Sequence, residues 1–206
     1  MIKIINKQKE LWEKLANANS KYYVASFKGK NITEEEYSDS GWEDYKKYIS
    51  RDELIKIEDN FLEIGCGTGR MTEWIAQIWP EVIAIDISGK MIEEGKARLK
   101  GINNIRWIEN DGVTIPLPSN SIDFAFSYIV FQHFKTKEMI EANFKEVYRV
   151  LKQGGLFKVL VRSDKVDINK WWGGVDCDEK MALNVGFELI KKEKVKNYGL
   201  WLWLQK

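Results

Sequence analysis

The spacing of hydrophobic residues changes near residues 51–60. After that seam, short apolar runs of strand length alternate with helical stretches, which predicts a parallel sheet covered by helices on both faces. The strand-like runs are FLEI at 61–64, VIAIDI at 82–87, IRWIE at 105–109, IDFAFSYIV at 122–130 and LFKVLV at 156–161, and the helical stretches cover 71–79, 90–100 and 137–152.

The C-terminal residues 186–206 contain two further strand-like runs with no helix between them. They predict an antiparallel hairpin that turns at Asn197, Tyr198 and Gly199. With the five parallel strands, this hairpin predicts an α/β fold built on a doubly wound, mostly parallel, seven-stranded Rossmann-like sheet with one antiparallel strand.

Residues 1–55 have a different pattern, in which apolar residues recur at helical spacing and two capping boxes each predict the start of a helix. The boxes are Thr33 with Glu36 and Ser40 with Glu43. We therefore predict an N-terminal helical lid at 1–55 and a Rossmann-like domain at 56–206, which together form one structural unit.

Composition narrows the class of protein. The 206 residues are 44% hydrophobic and 31% charged, which excludes disordered and fibrous chains. With 32 basic and 31 acidic residues the net charge is +1, so no overall field favours nucleic acid or an anionic membrane. Two cysteines make no disulfide framework, and we see neither a signal peptide nor an apolar run of about 20 residues, so we expect a cytoplasmic protein.

Three alternating glycines, Gly65, Gly67 and Gly69, join the first predicted strand to a helix. Such a loop at the carboxyl edge of a sheet is where nucleotides bind in this fold class. The next strand reaches Asp86, at nearly the spacing of about 20 residues expected for a carboxylate that binds ribose hydroxyls. Arg70 stands where a dinucleotide fingerprint needs its third glycine, which disfavours an NAD-dependent oxidoreductase.

The glycine loop and the segments after it resemble those of class I S-adenosylmethionine-dependent methyltransferases, closest to the type 11 small-molecule group that includes quinone methyltransferases. The resemblance covers residues from about 55 to 160. The similar segments are LEIGCGTGR at 62–70, AIDIS at 84–88, Asn110-Asp111-Gly112, the fourth strand and its exit at 117–134, and YRVLKQGGLFKV at 148–159.

This resemblance implies a site for S-adenosylmethionine, with S-adenosylhomocysteine as the product. Asp86 would hold the ribose hydroxyls, Asp111 would accept a hydrogen bond from the adenine amino group, and Ile87 and Met91 would pack on the adenine. The residues expected to bind the cofactor are Glu63, Gly65, Cys66, Gly67, Gly69, Asp86, Ile87, Met91, Asn110, Asp111, Gly112 and Tyr128.

Methyl transfer from a sulfonium needs alignment and exclusion of water more than a dedicated catalytic group. His133, the only histidine, follows the fourth strand and is a candidate general base, although it could instead satisfy a backbone carbonyl. Tyr128 is a second candidate, as a hydrogen-bond donor to substrate or a wall of the cofactor site. One histidine and no clear acidic set predict an enzyme without a metal.

Aromatic residues are candidates for binding the methyl acceptor, because stacked rings suit a planar or cationic group. Trp171 and Trp172 precede Gly173 and Gly174 after the fifth strand, and the glycines would allow that loop to move. Packing of the helices over the sheet is the alternative role for these rings. The candidate acceptor-binding residues are Tyr22, Tyr23, Trp42, Trp171 and Trp172.

The sequence therefore favours a methyltransferase that acts on oxygen or nitrogen of a small molecule, with nucleic acid and membrane disfavoured as partners. An RNA or protein methyltransferase and a non-catalytic cofactor-binding subunit remain alternatives. Alternating leucine and tryptophan at 200–204 predict a strand buried on both faces or a homodimer contact. The basic strand that could contact RNA phosphates, or simply face solvent, contains Lys191, Lys192, Lys194 and Lys196.

Overall fold

A computed structural model describes residues 2–57, 60–164, 166–195 and 199–206. Its strands are β1 (Asn60–Ile64), β2 (Glu81–Asp86), β3 (Ile105–Glu109), β4 (Ile122–Ser127), β5 (Leu151–Arg162), β6 (Glu188–Val195) and β7 (Gly199–Gln205). Its α-helices are α1 (Ile2–Val24), α2 (Glu34–Tyr45), α3 (Thr72–Ile75), α4 (Gly89–Arg98), α5 (Lys137–Val150) and α6 (Glu179–Leu183). A π-helical turn, Lys46–Ser50, continues α2, and 3-10 turns lie at Ser26–Lys28 and Phe131–His133.

The strands of the described residues form one mixed sheet, which confirms the predicted fold class. Their order is β3-β2-β1-β4-β5-β7-β6, with six strands parallel and β7 antiparallel. The chain divides into two compact units, residues 6–112 and residues 113–206 with the first residues of the chain. This division differs from the predicted boundary after residue 55, because α2 and most of α1 belong to the same unit as the glycine loop.

In the unit of residues 6–112, the central strands are buried along nearly their whole length. Phe61 and Leu62 of β1 have no exposed surface, and Phe61 packs edge-on against Trp79. Strands covered on both faces carry continuous apolar runs, as the sequence shows here. The predicted helix at 71–79 is shorter than expected, since α3 ends at Ile75 and is followed by turns.

Only one of the two predicted capping boxes is a cap. Thr33 opens α2 with both hydrogen bonds of the box to Glu36, as predicted. The second box is wrong, because Ser40 lies inside α2 and donates its hydroxyl to the carbonyl of Tyr37 at 2.7 Å. A serine can satisfy its hydroxyl within a helix, so the sequence pattern alone does not mark a helix start.

In the unit of residues 113–206, strand ends differ from the predicted ones. β4 ends at Ser127 rather than at 130, because Ile129 adopts a φ of 60°, which extended backbone does not allow. β5 begins at Leu151, five residues earlier than predicted. The C-terminal hairpin is confirmed by the antiparallel pairing of β6 with β7, while its predicted turn residues Asn197 and Tyr198 lie outside the described residues.

The leucine–tryptophan strand is buried on both faces within the chain. Trp201, Leu202, Trp203 and Leu204 are each 2% exposed or less. Of the two alternatives for this strand, the structure shows burial, and its rings therefore do not provide an exposed surface for a second copy.

Candidate functional site

The glycine loop turns back onto the end of β2. The backbone N–H groups of Gly65 and Cys66 both donate to the carbonyl of Ile85, at 2.8 and 3.0 Å. Gly65, Gly67 and Gly69 have φ values of 75°, 55° and 79°, a region that favours glycine. The sequence spacing of the three glycines is thus explained by three left-handed positions in one tight turn.

Asp86 lies at the carboxyl end of β2 and faces this loop. Its Oδ2 accepts the N–H of Gly67 and its Oδ1 accepts the N–H of Ser88, both at 2.9 Å. Each carboxylate oxygen has a second acceptor position, as two ribose hydroxyls would require. Burial raises the pKa of Asp86 to about 6, although hydrogen bonds from the backbone of Ser88, Gly67 and Ile87 lower it. The carboxylate is therefore mostly ionised at neutral pH.

Glu63 is the second acidic group of the loop, and it is buried on β1. Its Oε2 accepts the hydroxyl of Thr72 at 2.6 Å. Burial raises the pKa of Glu63 to about 7, so this carboxyl is partly protonated at neutral pH. Burial also raises the pKa of the Cys66 thiol, whose side chain packs with Ala84 and Ile92. Cys66 therefore contributes packing and is a poor nucleophile.

The predicted adenine end of the site follows β3. Asn110 donates its backbone N–H to the carbonyl of Asp86 at 3.0 Å, and its Oδ1 accepts the N–H of Gly112 at 3.1 Å. Asp111, between them, is exposed to solvent. Of the two apolar residues expected to pack on adenine, Ile87 is half-buried and Met91 is buried, its backbone N–H capped by Ser88.

The N-terminal helices lie directly on the glycine loop, while their role as a lid stays a prediction. A Cβ atom at Gly67 would come within 2.8 Å of Val24 at the end of α1. A Cβ at Gly41 of α2 would come within 2.1 Å of the carbonyl of Arg70, so α2 touches the loop backbone to backbone. The buried hydroxyls of Tyr37 and Thr68 are 2.6 Å apart.

Two arginines, of which Arg70 is buried and Arg98 partly buried, hold α2 in this position. Arg70 donates to the carbonyl of Ser40 at 2.8 Å and forms an ion pair with Asp44 at 2.7 Å. Arg98 donates to the carbonyls of Thr68 and Gly69, and its guanidinium also pairs with acidic groups of α2 and α3. Since these cations are nearly buried and paired, α2 is a fixed part of this unit.

The predicted acceptor-binding residues of the N-terminal region lie on these covering helices. Tyr22 and Tyr23 pack edge to face at 4.9 Å, next to Val24. Trp42 stacks on Tyr45 at 5.7 Å and contacts Trp74 at 5.0 Å, while 37% of its surface stays exposed.

In the unit of residues 113–206, the candidates Tyr128 and His133 follow β4. The ring of Tyr128 stacks on Trp201 at 5.6 Å and is half-buried. His133 is 5% exposed and stacks on Trp171 at 6.2 Å. Burial and the neighbouring cations Arg162 and Lys135 lower the pKa of His133 to about 3. The imidazole is neutral at pH 7 and is a weak base.

The segment 166–174 follows β5 and contains the other two aromatic candidates. Trp171 packs on His133, and 41% of Trp172 is exposed. A Cβ at Gly173 would come within 2.0 Å of the carbonyl of Asp167, and one at Gly174 within 2.1 Å of that of Gln132. The glycines therefore allow close backbone approach, and movement of this loop stays a prediction.

Several contacts in the structure could not be predicted, because no sequence pattern indicates them. They include the Tyr37–Thr68 hydroxyl pair, the ion pair of Arg70 with Asp44, and the hydrogen bonds that Lys135 and Arg162 make to backbone carbonyls.

Among the described residues, no three His, Cys, Asp or Glu side chains are grouped as metal ligands would be. No helix in the described part of the chain is long and apolar enough to cross a membrane.

Comparison with known proteins finds similarity over part of the chain. Residues 62–159 match the family described as a methyltransferase domain. A demethylmenaquinone methyltransferase of Staphylococcus haemolyticus is 31% identical over 122 residues, 58% of this chain and 50% of the relative. A malonyl-[acyl-carrier protein] O-methyltransferase of Marinomonas is 31% identical over 125 residues, 59% of this chain and 45% of the relative. The alignments thus span about half the length of these relatives.

A solved structure shows the same fold. The phosphoethanolamine N-methyltransferase 1 of Haemonchus contortus, in complex with phosphoethanolamine and S-adenosylhomocysteine, has a TM-score of 0.63 at 19% identity, covering 85% of this chain and 37% of its own. Residues 62–159 are thus similar to the class I S-adenosylmethionine-dependent methyltransferases, whose cofactor is S-adenosylmethionine.

Proposed function

We propose that this protein transfers a methyl group from S-adenosylmethionine to an oxygen or nitrogen atom of a small-molecule acceptor. The observation that carries the cofactor half of the proposal is Asp86, whose two oxygens accept the N–H groups of Gly67 and Ser88 and keep further acceptor capacity. When bound, the cofactor supplies an electrophilic methyl group on a sulfonium. The relatives include a quinone methyltransferase and a carrier-protein O-methyltransferase, so the acceptor itself is our proposal.

The chain's own contribution is to bind, orient and exclude water. Asp86 holds the ribose by accepting its hydroxyls, Asp111 accepts from the adenine amine, and the loop from Gly65 to Gly69 lets the backbone approach the ligand. The remaining residues expected around the cofactor are Glu63, Cys66, Ile87, Met91, Asn110, Gly112 and Tyr128. The helices that carry Val24 and Tyr37 cover the loop and shield it from solvent, which strengthens electrostatic interactions there.

For the residues after β4, we propose positioning roles in preference to proton transfer. A general base works best with a pKa near the working pH, whereas that of His133 is about 3. His133 supports the ring of Trp171, and Tyr128 offers its hydroxyl as a hydrogen-bond donor to the acceptor. Tyr22, Tyr23, Trp42, Trp171 and Trp172 stay our candidates for contacting that acceptor.

A small molecule is favoured over RNA by the way the basic residues of β6 are paired. Lys192 forms an ion pair with Glu179 at 2.7 Å, and Lys191 with Glu193 at 3.6 Å. Lys191 also lies 4.5 Å from the ring of Trp203. These lysines are thereby partly neutralised by neighbouring acids, while Lys196 lies outside the described residues.

A cytoplasmic location and a homodimer stay predictions, and light scattering at micromolar concentration tests the dimer.

Calorimetry tests the proposal directly. We expect micromolar binding of S-adenosylmethionine and S-adenosylhomocysteine, loss of both with Asp86→Ala, and no binding of NAD. The control is Asp39→Ala, an exposed aspartate of α2, which leaves binding unchanged. Transfer of a radiolabelled methyl group is then measured with small amines, phenols and carboxylic acids and with RNA. Transfer to RNA alone would overturn the small-molecule acceptor, and absence of cofactor binding would overturn the whole proposal.

A further inference from the structure

Lys135 is bonded to backbone carbonyls in a way that no part of the reaction explains. Its ammonium donates to the carbonyls of Ile168, Lys170 and Gly173, at 2.8, 2.9 and 2.6 Å. An ammonium has three donors, and all three are used here. The three carbonyls, called here the carbonyl cradle, lie within six consecutive residues of the segment that follows β5.

A second cation holds the same segment from the strand itself. Arg162, the last residue of β5, donates to the carbonyl of Trp172 at 3.1 Å and to that of Gln132 at 3.3 Å. The segment is further tied by the N–H of Val175, which donates to the carbonyl of Phe134 at 2.9 Å. Thus the backbone between residues 168 and 175 forms hydrogen bonds with Lys135 and Phe134, which follow β4, and with Arg162 at the end of β5.

These bonds fix the backbone that carries the two tryptophans. Trp171 and Trp172 lie between cradle carbonyls, and the ring of Trp171 stacks on His133. Gly173 is buried, so its carbonyl costs free energy when it loses this donor, whereas the carbonyls of the exposed Ile168 and Lys170 can turn to water in another conformation of the segment. The position of both rings therefore depends on the cation at Lys135.

We propose that Lys135 is a positioning residue that holds Trp171 and Trp172, through the carbonyl cradle, as an aromatic wall for the methyl acceptor. That the wall faces a methyl acceptor rests on the proposed function. That Lys135 holds the wall in place rests on its three hydrogen bonds. A compact ammonium suits three converging carbonyls, whereas the planar fork of arginine suits paired oxygens. Charge and donor geometry are both required, which makes the role chemically specific.

The test uses chemical rescue in the full-length protein. In Lys135→Ala, we expect hydrogen exchange of backbone amides at 166–174 to rise at least tenfold, with the β-sheet unchanged. Added propylammonium, which replaces the missing side chain and its three donors, restores the protection. Tetramethylammonium has the same charge and no N–H, and it does not restore the protection. Lys145→Ala, at an exposed lysine of α5, is the matched control and shows wild-type exchange.

Lys135→Arg keeps the positive charge, so it provides the test if Lys135→Ala does not fold. We expect it to fold, to exchange faster than wild type at 166–174, and to respond little to propylammonium. In transfer to any acceptor found in the screen above, Lys135→Arg raises KM at least fivefold with kcat within threefold.

The outcomes separate this inference from the proposed function. Calorimetry with S-adenosylmethionine is run on the same samples, and we expect Lys135→Ala to bind it within twofold of wild type. Absence of binding in the wild type would overturn the proposed function and leave the exchange result intact. Unchanged exchange at 166–174 in Lys135→Ala, or equal rescue by tetramethylammonium, would overturn the role of the carbonyl cradle.

Discussion

The protonation of Glu63 makes a quantitative prediction about stability. Burial raises the pKa of this carboxyl from 4.5 to about 7 in the folded protein. Because each unit of pKa corresponds to roughly 1.4 kcal/mol, the folded state loses about 3 kcal/mol relative to the unfolded state as pH rises through this interval. The sign follows from proton binding: between pH 4.5 and 7 the folded chain holds a proton at Glu63 that the unfolded chain has released.

Glu63→Gln removes this proton linkage and keeps the oxygen that accepts the hydroxyl of Thr72. At pH 5 the variant should be more stable by less than about 1 kcal/mol, since the folded wild type still holds its proton and the unfolded chain has only just released most of it. At pH 8.5 the variant should be more stable by about 2–3 kcal/mol. Unfolding in urea at both pH values, without cofactor, measures the two differences.

The control for this experiment is Glu93→Gln, at an exposed position of α4. It should leave the pH dependence of the free energy of unfolding unchanged. If Glu63→Gln and wild type differ by the same amount at pH 5 and pH 8.5, then Glu63 is ionised in the fold and the reasoning from burial is refuted.

Three further predictions follow from the same unit and from the thiols. Gly41→Ala places a Cβ 2.1 Å from the carbonyl of Arg70 and should lower the free energy of unfolding by at least about 1–3 kcal/mol. Gly101→Ala is the control, because the space around its Cβ is open, and thermal unfolding of the two variants should show the difference. S-adenosylmethionine should bind about tenfold more weakly at pH 5 than at pH 7, because affinity is lost as Asp86 protonates near pH 6, and calorimetry showing equal Kd values would contradict this. Burial raises the pKa of both cysteine thiols, that of Cys177 to about 12, so neither should react with a disulfide reagent at pH 8 until the protein is unfolded.

Much of the fold could be predicted because its signals are local. Apolar runs such as those of β1 and β2 follow from burial on both faces, and the hairpin of β6 and β7 from two runs with no helix between them. Errors occur where a local pattern fits more than one backbone conformation. Ile129 ends β4 early by taking a left-handed conformation, and Ser40 lies within a helix despite its capping-box spacing.

The candidate site shows the same division between local and distant signals. The three glycines could be predicted because left-handed turns leave a residue signature, and Asp86 because a fixed element length separates it from the loop. Val24 on the loop and Tyr37 beside Thr68 could not be predicted, because these pairs are distant in sequence and follow no periodicity.

The sequence by itself determined the alternation of strands and helices after residue 60, the tight glycine turn and the carboxylate at the end of β2, since each depends on neighbouring residues and backbone geometry. Only the tertiary structure decided the protonation of Glu63 and His133, because a pKa depends on burial and on charges brought close by folding. It also decided the role of Gly173 and Lys135, since close approach and a carbonyl cradle exist only when segments far apart in the chain meet.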